Sequence, residues 1–204
     1  MSSFDQLAKD WDENPDRRAL ASQLRETLIS AYPGRHWKTA LEYGSGTGIN
    51  GLALADLIDQ MHFIDSSPGM LQVLQQKLEI LPGQYSTELG DWTKGDTQIS
   101  SEYDFILSVL TLHHIQNIPT LVIRLAQSLK RGGTLVLLDL QPEDGSFHPP
   151  GVQGVYHHGV DPHIIASILT ERGWTVDIEE DYYTIQKEEK AFPIFLLTAE
   201  KIEV

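Results

Sequence analysis

The sequence predicts an α/β protein built on a mostly parallel sheet with helices on both faces. Two observations carry that expectation. Strand-like runs alternate with helix-like runs from Thr39 to Asp139, the order expected of β–α–β units. The strand runs themselves, such as Phe105-Ile106-Leu107 and Leu135-Val136-Leu137-Leu138, are continuously apolar rather than alternating, as in strands buried on both faces. A third observation locates the business end. Four of the sixteen glycines fall in Leu41-Glu42-Tyr43-Gly44-Ser45-Gly46-Thr47-Gly48-Ile49-Asn50-Gly51. A glycine turn between strand and helix lets a ligand approach the main chain and gathers free N–H groups at one spot.

Taken in order, Phe4 to Asp12 reads as a short amphipathic segment with Phe4, Leu7, Ala8 and Trp11 on one side. Leu20, Leu24 and Leu28 then recur at helical spacing until Pro33-Gly34. Thr39 to Tyr43 is a strand ending in the glycine turn, and Asn50 to Ile58 reads as a helix. Met61 to Asp65 is the second strand, and Ser66-Ser67-Pro68 opens a helix with a cap residue followed by proline. That helix carries Met70, Leu71, Leu74 and Leu78 and stops by Pro82-Gly83. Tyr85 to Leu89 is a weaker strand and Tyr103 to Val109 a strongly apolar one. Pro119 to Leu129 is helical, and Arg131-Gly132-Gly133 ends it before the strand Thr134 to Asp139. Gln141 to Gly159 is the one long irregular stretch, and loops of that length are usually functional.

The last part differs. Asp161 to Arg172 is a helix with Ile164, Ile165, Ile168 and Leu169 facing inward, followed by Trp174 to Tyr183 and Ile194 to Lys201 with no helix between them. Two strands without a crossover helix pair antiparallel. Pro193 is expected just before the last strand, because a central strand needs its N–H groups. At 204 residues the chain suits one domain, 1–204, with an N-terminal helical cap over about 1–32 and a substrate-side loop over about 141–160.

Composition excludes several functions. Acidic residues outnumber basic ones by 29 to 15, and a net charge of -14 repels phosphate backbones, so nucleic acid is not an expected partner. The absence of cysteine removes disulfides, thiolate metal sites and a cysteine nucleophile. The start lacks a signal-peptide profile, and no apolar run approaches the roughly 20 residues of a membrane helix. A soluble, cytoplasmic protein without a membrane partner is the expectation; the oligomeric state is not legible.

The turn has two cofactor readings. From Gly46 it gives Gly46-x-Gly48-x-x-Gly51 with Asp65 about 20 residues on, the dinucleotide pattern, which would suggest NAD(P) and an oxidoreductase. From Glu42 it gives Glu42-x-Gly44-x-Gly46-x-Gly48. A carboxylate at the strand end suits a cationic ligand and repels a pyrophosphate.

Together with four further stretches, this second pattern resembles the class I S-adenosylmethionine-dependent methyltransferases. Phe63-Ile64-Asp65-Ser66-Ser67-Pro68-Gly69-Met70 resembles the family's second-strand motif, and Gly90-Asp91-Trp92 its third. Tyr103 to Ser108 with Leu112-His113-His114 resembles the fourth, and Leu129 to Gly133 the fifth. The resemblance runs from about Phe4 to Lys201 and is nearest to small-molecule methyltransferases such as those of ubiquinone and menaquinone biosynthesis. The chain departs from those in being shorter and in its loop Glu143 to Gly159. The resemblance implies a Rossmann-like doubly wound seven-stranded sheet, mostly parallel with an antiparallel final strand.

It also implies S-adenosylmethionine as cofactor, S-adenosylhomocysteine as product and a small-molecule methyl acceptor. The residues carried over to the cofactor are Trp11, Glu42, Gly44, Ser45, Gly46, Thr47, Gly48, Asp65, Ser66, Met70, Asp91, Trp92 and Ser108. Asp65 would take the ribose hydroxyls and Asp91 the adenine amino group. Trp11 closes over the cofactor or simply anchors its helix, and Trp92 packs on adenine or belongs to the core. Of the histidines, His113 is the first candidate to face the acceptor as a general base, followed by His157 and His158, with His148 in the same loop. His114 is expected to be a structural hydrogen bonder. No metal is expected. His148, His157, His158, Asp139, Glu143 and Asp144 are suitable ligand types, but adjacent His157 and His158 cannot readily both point at one ion, and no helical His-x₃-His spacing is present. A cofactor-binding protein without transfer activity is the non-enzymatic alternative.

Overall fold

A computed structural model describes residues 3–94 and 102–201 of the chain. Seven strands form one sheet in the order β3-β2-β1-β4-β5-β7-β6. The chain divides into two compact units, Met1–Asp91 and Trp92–Val204.

In the first unit, α1 (Ser3–Leu7) runs into a 3-10 turn (Ala8–Glu13), and α2 (Pro15–Ala31) follows. Asn14 caps α2 by accepting from the N–H groups of Asp16 and Arg17, and Pro15 takes the first helical position, where a missing N–H costs nothing. Leu20, Leu24 and Leu28 are buried along one stripe, each contributing about 1.5–3 kcal/mol by leaving water. Strand β1 (Trp37–Tyr43) pairs in parallel with β2 (Ile58–Asp65), and β2 with β3 (Gln84–Leu89). Two expectations change here. The helix after the glycine turn is only α3 (Ile49–Ala53) and a 3-10 turn, because Ile58 already belongs to β2. Leu7 does not join the inward side; it is exposed, since the switch to 3-10 geometry breaks the α period. Helix α4 (Pro68–Leu78) starts as expected, with the Ser67 hydroxyl accepting from Met70 N–H.

In the second unit, β4 (Tyr103–Val109) pairs in parallel with β5 (Leu129–Leu140), joined by α5 (Ile118–Ser128). Helix α5 ends one residue early, and Leu129 already pairs with Tyr103. The Gly132-Gly133 segment stays within β5 as a bulge, since the next matched pair is Phe105 with Thr134. Helix α6 (Pro162–Thr170) is capped by Asp161. It buries Ile165 and Leu169, but Ile164 is exposed, one helical step off the inward face. Strands β6 (Trp174–Lys187) and β7 (Lys190–Lys201) form an antiparallel hairpin, and β7 also pairs antiparallel with β5. Pro193 lies inside β7, opposite Thr184, rather than before it. The β5 ladder begins only at the next residue, Ile194, so the missing N–H falls outside that pairing, and the Pro193 carbonyl still accepts from Gln141 N–H.

Candidate functional site

The first unit builds a cradle around the glycine turn. Gly44, Gly46 and Gly48 all have positive φ (70°, 53° and 76°), a region that disfavours side chains. The turn is tied to β2 by Gly44 and Ser45 N–H groups donating to the Ile64 carbonyl at 2.8 and 3.0 Å. A Cβ on Gly48 would come within 2.6 Å of Leu74, whereas one on Gly46 would meet nothing nearer than Trp11 Nε1 at 3.8 Å and Met70 Sδ at 3.9 Å. Trp11 and Met70 therefore flank the open side of Gly46.

Glu42 sits under this turn, 1% exposed, with Oε2 accepting from Gly51 N–H at 3.1 Å. Gly51 is required at that contact, because a Cβ there would lie 2.5 Å from the carboxylate oxygen. Burial pushes the Glu42 carboxyl up to about 8; the Gly51 and Asn50 hydrogen bonds oppose this, Asp65 reinforces it, and Lys77 opposes it weakly. Two buried oxygens in this turn, Glu42 Oε1 and Ser45 Oγ, have no hydrogen-bond partner. Buried polar atoms are ordinarily satisfied, so an orphaned pair in one glycine turn marks a place for a polar ligand group. The residues present thus fit the cationic amino-acid end of S-adenosylmethionine.

Asp65 ends β2 with both oxygens engaged, Oδ2 by Gly46 N–H and Oδ1 by Ser67 N–H, each at 2.7 Å. Each oxygen keeps a second lone pair for a hydroxyl donor. Burial raises its carboxyl above the usual range against the pull of the Ser67, Gly46 and Ser66 N–H groups, and the charge of Asp5 raises it further. Ser66 thus contributes through its backbone. Asp91 accepts from the Tyr43 hydroxyl at 3.2 Å. The N-terminal segment is fastened to the turn by residues that the sequence reading passed over. Asp12 accepts from the Thr47 hydroxyl and pairs with Lys77, while Lys77 Nζ also donates to the Thr47 carbonyl at 2.7 Å. Asp5 accepts from Ser67 Oγ and Gly69 N–H at the start of α4. Trp11 is stacked by the Arg17 guanidinium, 3.4 Å from its ring centre, and that guanidinium also holds the Trp11 carbonyl.

The second unit holds the histidines. Trp92 and Ser108 are buried there, Trp92 with its carbonyl accepting from Arg124 and Ser108 within β4 opposite Leu137. Past β4 the chain enters a left-handed residue, Leu110 (φ 51°), and a 3-10 turn, Leu112–His114. Asp139, fully buried near the end of β5, shapes that turn. Its Oδ2 accepts from Leu112 N–H (2.7 Å) and His113 N–H (3.4 Å), and its Oδ1 from Leu140 N–H (2.7 Å) and His113 Nδ1 (2.6 Å). The three backbone partners can only donate, so Asp139 acts as an acceptor and His113 carries its proton on Nδ1. His113 Nε2 is buried with no hydrogen-bond partner.

Loop 141–160 folds over this turn. Tyr156 and His157 N–H groups donate to the His113 carbonyl, and His114 Nδ1 donates to the Gly154 carbonyl at 2.8 Å. His148 packs against both, with ring centres 5.2 Å from His113 and from His114, and its Nε2 is also buried and unpartnered. Burial holds His114 and His148 down to about 4, with the neighbouring His113 pushing the same way. His157 and His158 do not join the group. His157 Nε2 donates to the Ile115 carbonyl at 2.9 Å, and His158 is largely exposed, 3.7 Å from Glu143. Sequence reasoning ranked His157 and His158 ahead of His148, whereas His148 is the loop histidine that lies beside His113. It also missed Asp139 as the group that orients His113, although an acidic residue closing an apolar strand was a visible signal.

Among the described residues no helix is long and apolar enough to cross a membrane. A methyltransferase-domain family model matches residues 40–133, just under half of the chain. An uncharacterized methyltransferase of Schizosaccharomyces pombe is 28% identical over 157 residues, covering 71% of this chain and 55% of its own length. The chain thus spans little more than half of that relative. Among solved structures, the N-methyltransferase NodS of Bradyrhizobium japonicum in complex with S-adenosylhomocysteine superimposes with a TM-score of 0.69 at 19% identity, covering 93% of this chain and 89% of that one. The CcbJ methyltransferase of Streptomyces caelestis gives 0.70 at 18% identity, with 99% of both chains covered. The chain has the fold of the class I S-adenosylmethionine-dependent methyltransferases.

Proposed function

We propose that the protein transfers a methyl group from S-adenosylmethionine to a small-molecule acceptor. The observation that carries this reading is the pair of orphaned buried oxygens, Glu42 Oε1 and Ser45 Oγ, in a glycine turn that a carboxyl group underlies. The cofactor supplies an activated methyl on a sulfonium, so the protein's task is mainly orientation. Glu42 and Ser45 receive the cationic amino-acid end, Asp65 the ribose hydroxyls and Asp91 the adenine edge, while Trp11 and Met70 line the open side of Gly46. A dinucleotide would bring its pyrophosphate rather than a cation to this turn, and Glu42 would repel it, which argues against the NAD(P) alternative.

In the second unit His113 is the general base where the acceptor carries a proton. Asp139 fixes its Nδ1–H, and Nε2 presents the lone pair. Loop 141–160, which carries His148 and His157, forms the acceptor side. The motif pattern supports a likeness to the small-molecule enzymes such as those of ubiquinone and menaquinone biosynthesis, with the acceptor set by this loop.

Thermal melting with S-adenosylmethionine, S-adenosylhomocysteine, NAD and NADP tests the reading. At a concentration 100 times Kd a ligand adds about 2.7 kcal/mol, which for a chain of this size raises Tm by roughly 5–10 °C. The first two should do so and the last two should not; a shift with NAD alone would overturn the assignment.

A further inference from the structure

We propose that His113, His114 and His148 form a binding site for a single divalent transition-metal ion, with Zn(II) the best match to the donor set. One ligand nitrogen from each ring lies within 4.8 Å of the other two. The tautomers are set by fixed neighbours. His113 Nδ1–H is held by Asp139 and His114 Nδ1–H by the Gly154 carbonyl, so both rings direct their lone pairs through Nε2. Nε2 of His113, a residue 2% exposed, is buried without a partner, as is Nε2 of His148. A lone pair withheld from water and from every donor is otherwise an unexplained cost.

The surroundings are those of a metal-ligating histidine. Such residues nearly always hand their other N–H to a carboxylate or a backbone carbonyl, which fixes the ring and raises its basicity. His113 uses the carboxylate of Asp139 and His114 a carbonyl, both within 2.8 Å. Three imidazole ligands suit Zn(II) and leave at least one coordination position open, as in catalytic rather than structural zinc sites. That position suits a small ligand with an oxygen, nitrogen or sulfur donor. Tetrahedral Zn(II) with Zn–N near 2.0–2.1 Å sets ligand nitrogens about 3.4 Å apart, so nitrogens that lie within 4.8 Å of one another close by at most roughly 1.4 Å. His148 supplies that freedom, because it lies in an irregular loop and is only half-buried. The other charged groups near His148 are Glu143, Asp139 and Lys187. Lys187 is turned to the Phe147 ring at 3.5 Å and donates to the Phe147 carbonyl at 2.7 Å.

The test uses the 204-residue chain without a polyhistidine tag, stripped with a chelator and titrated with ZnCl₂ against a chromophoric zinc indicator, with Co(II) absorption reporting the geometry. We expect one equivalent of zinc and a Co(II) spectrum of low coordination number. His148→Ala should weaken zinc binding by at least about 100-fold and Asp139→Asn by about 10–100-fold. His163→Ala, which removes an exposed ring paired with Glu180, should change nothing. Substoichiometric zinc, or unchanged affinity in His148→Ala, overturns the proposal. Should His113→Ala fail to fold, His148→Ala still decides, since it alters only a loop residue. The site does not depend on the cofactor assignment, but it engages the same His113 Nε2 lone pair, so zinc binding and general-base action by His113 exclude each other. A protein stabilised by S-adenosylhomocysteine but unable to bind zinc sinks the metal alone; the reverse result sinks the cofactor assignment alone.

Discussion

Replacing Glu42 by glutamine removes one ionisable group and little else, which makes it a direct test of how the cradle is built. Glutamine keeps an oxygen to accept from Gly51 N–H and nearly the same volume. Burial raises the Glu42 carboxyl from 4.5 to about 8 in the folded chain. A group whose folded pKa is raised stabilises the fold fully below its unfolded value, about 4.5, and that contribution is lost as pH rises towards 8. At 1.36 kcal/mol per unit the loss amounts to roughly 3–5 kcal/mol by pH 8. Glu42→Gln should therefore be nearly neutral at pH 4.5 to 5. At pH 8, without cofactor, it should be more stable than the native chain by that amount, a rise in Tm of roughly 6–20 °C. Circular-dichroism melts of both proteins from pH 5 to 9 read the difference directly. A Tm difference that stays constant across that range would refute the reasoning, because it would mean that the carboxyl titrates alike in folded and unfolded chains. The same substitution should weaken S-adenosylmethionine binding, since an amide offers the ligand's ammonium no charge.

Other outcomes follow from the same geometry. Gly51→Ala places a Cβ 2.5 Å from both Glu42 Oε2 and Met61 Cε; it should lower stability by about 1–3 kcal/mol and cofactor affinity with it, measured by melting and calorimetry. Asp65→Ala removes the acceptor of the Gly46 and Ser67 N–H groups and should abolish the S-adenosylhomocysteine melting shift, while His157→Ala leaves that shift intact. His113→Gln should reduce turnover by about 10²–10⁴-fold for an acceptor with a proton to lose and much less for one already ionised, in paired methyl-transfer assays. Gly48→Ala, with φ 76° and a Cβ 2.6 Å from Leu74, should destabilise the fold and lower Tm whether or not cofactor is present.

Much of the fold was legible because its signals are local. Continuous apolar runs identified β4 and β5, Ser67-Pro68 announced α4, and the absence of a helix after Trp174 announced the hairpin of β6 and β7. Boundaries failed where tertiary pairing overrides local pattern. Pairing with Tyr103 turns Leu129 from a helix end into a strand start, and the ladder position of Ile194 lets Pro193 sit inside a strand. The cradle was legible for a similar reason: Glu42, the glycines and Gly51 lie within ten residues, so their spacing constrains their geometry. The histidine group was not. His148 stands 35 positions from His113 in a loop without periodic pattern, and hydrogen bonds of residues 154 to 157 to residues 113 to 115 hold that loop over the turn. Nothing in the sequence distinguishes His148, which joins the group, from His158, which faces water.

The two sites share one electrostatic logic. In a chain of net charge -14, burial has removed charge at both places rather than placed it there. Glu42 is pushed towards its neutral acid, and His114 and His148 are held as neutral bases. Each site therefore keeps an unspent capacity for positive charge: a carboxyl that ionises when a cation arrives, and imidazole lone pairs that no proton occupies at neutral pH. A sulfonium-bearing amino acid meets the first requirement and a metal dication the second. Anionic ligands meet neither, which sets this glycine turn apart from the phosphate-binding turns that it resembles in sequence. The glycines make the space, and the buried, neutralised groups around them decide the sign of the charge that fills it.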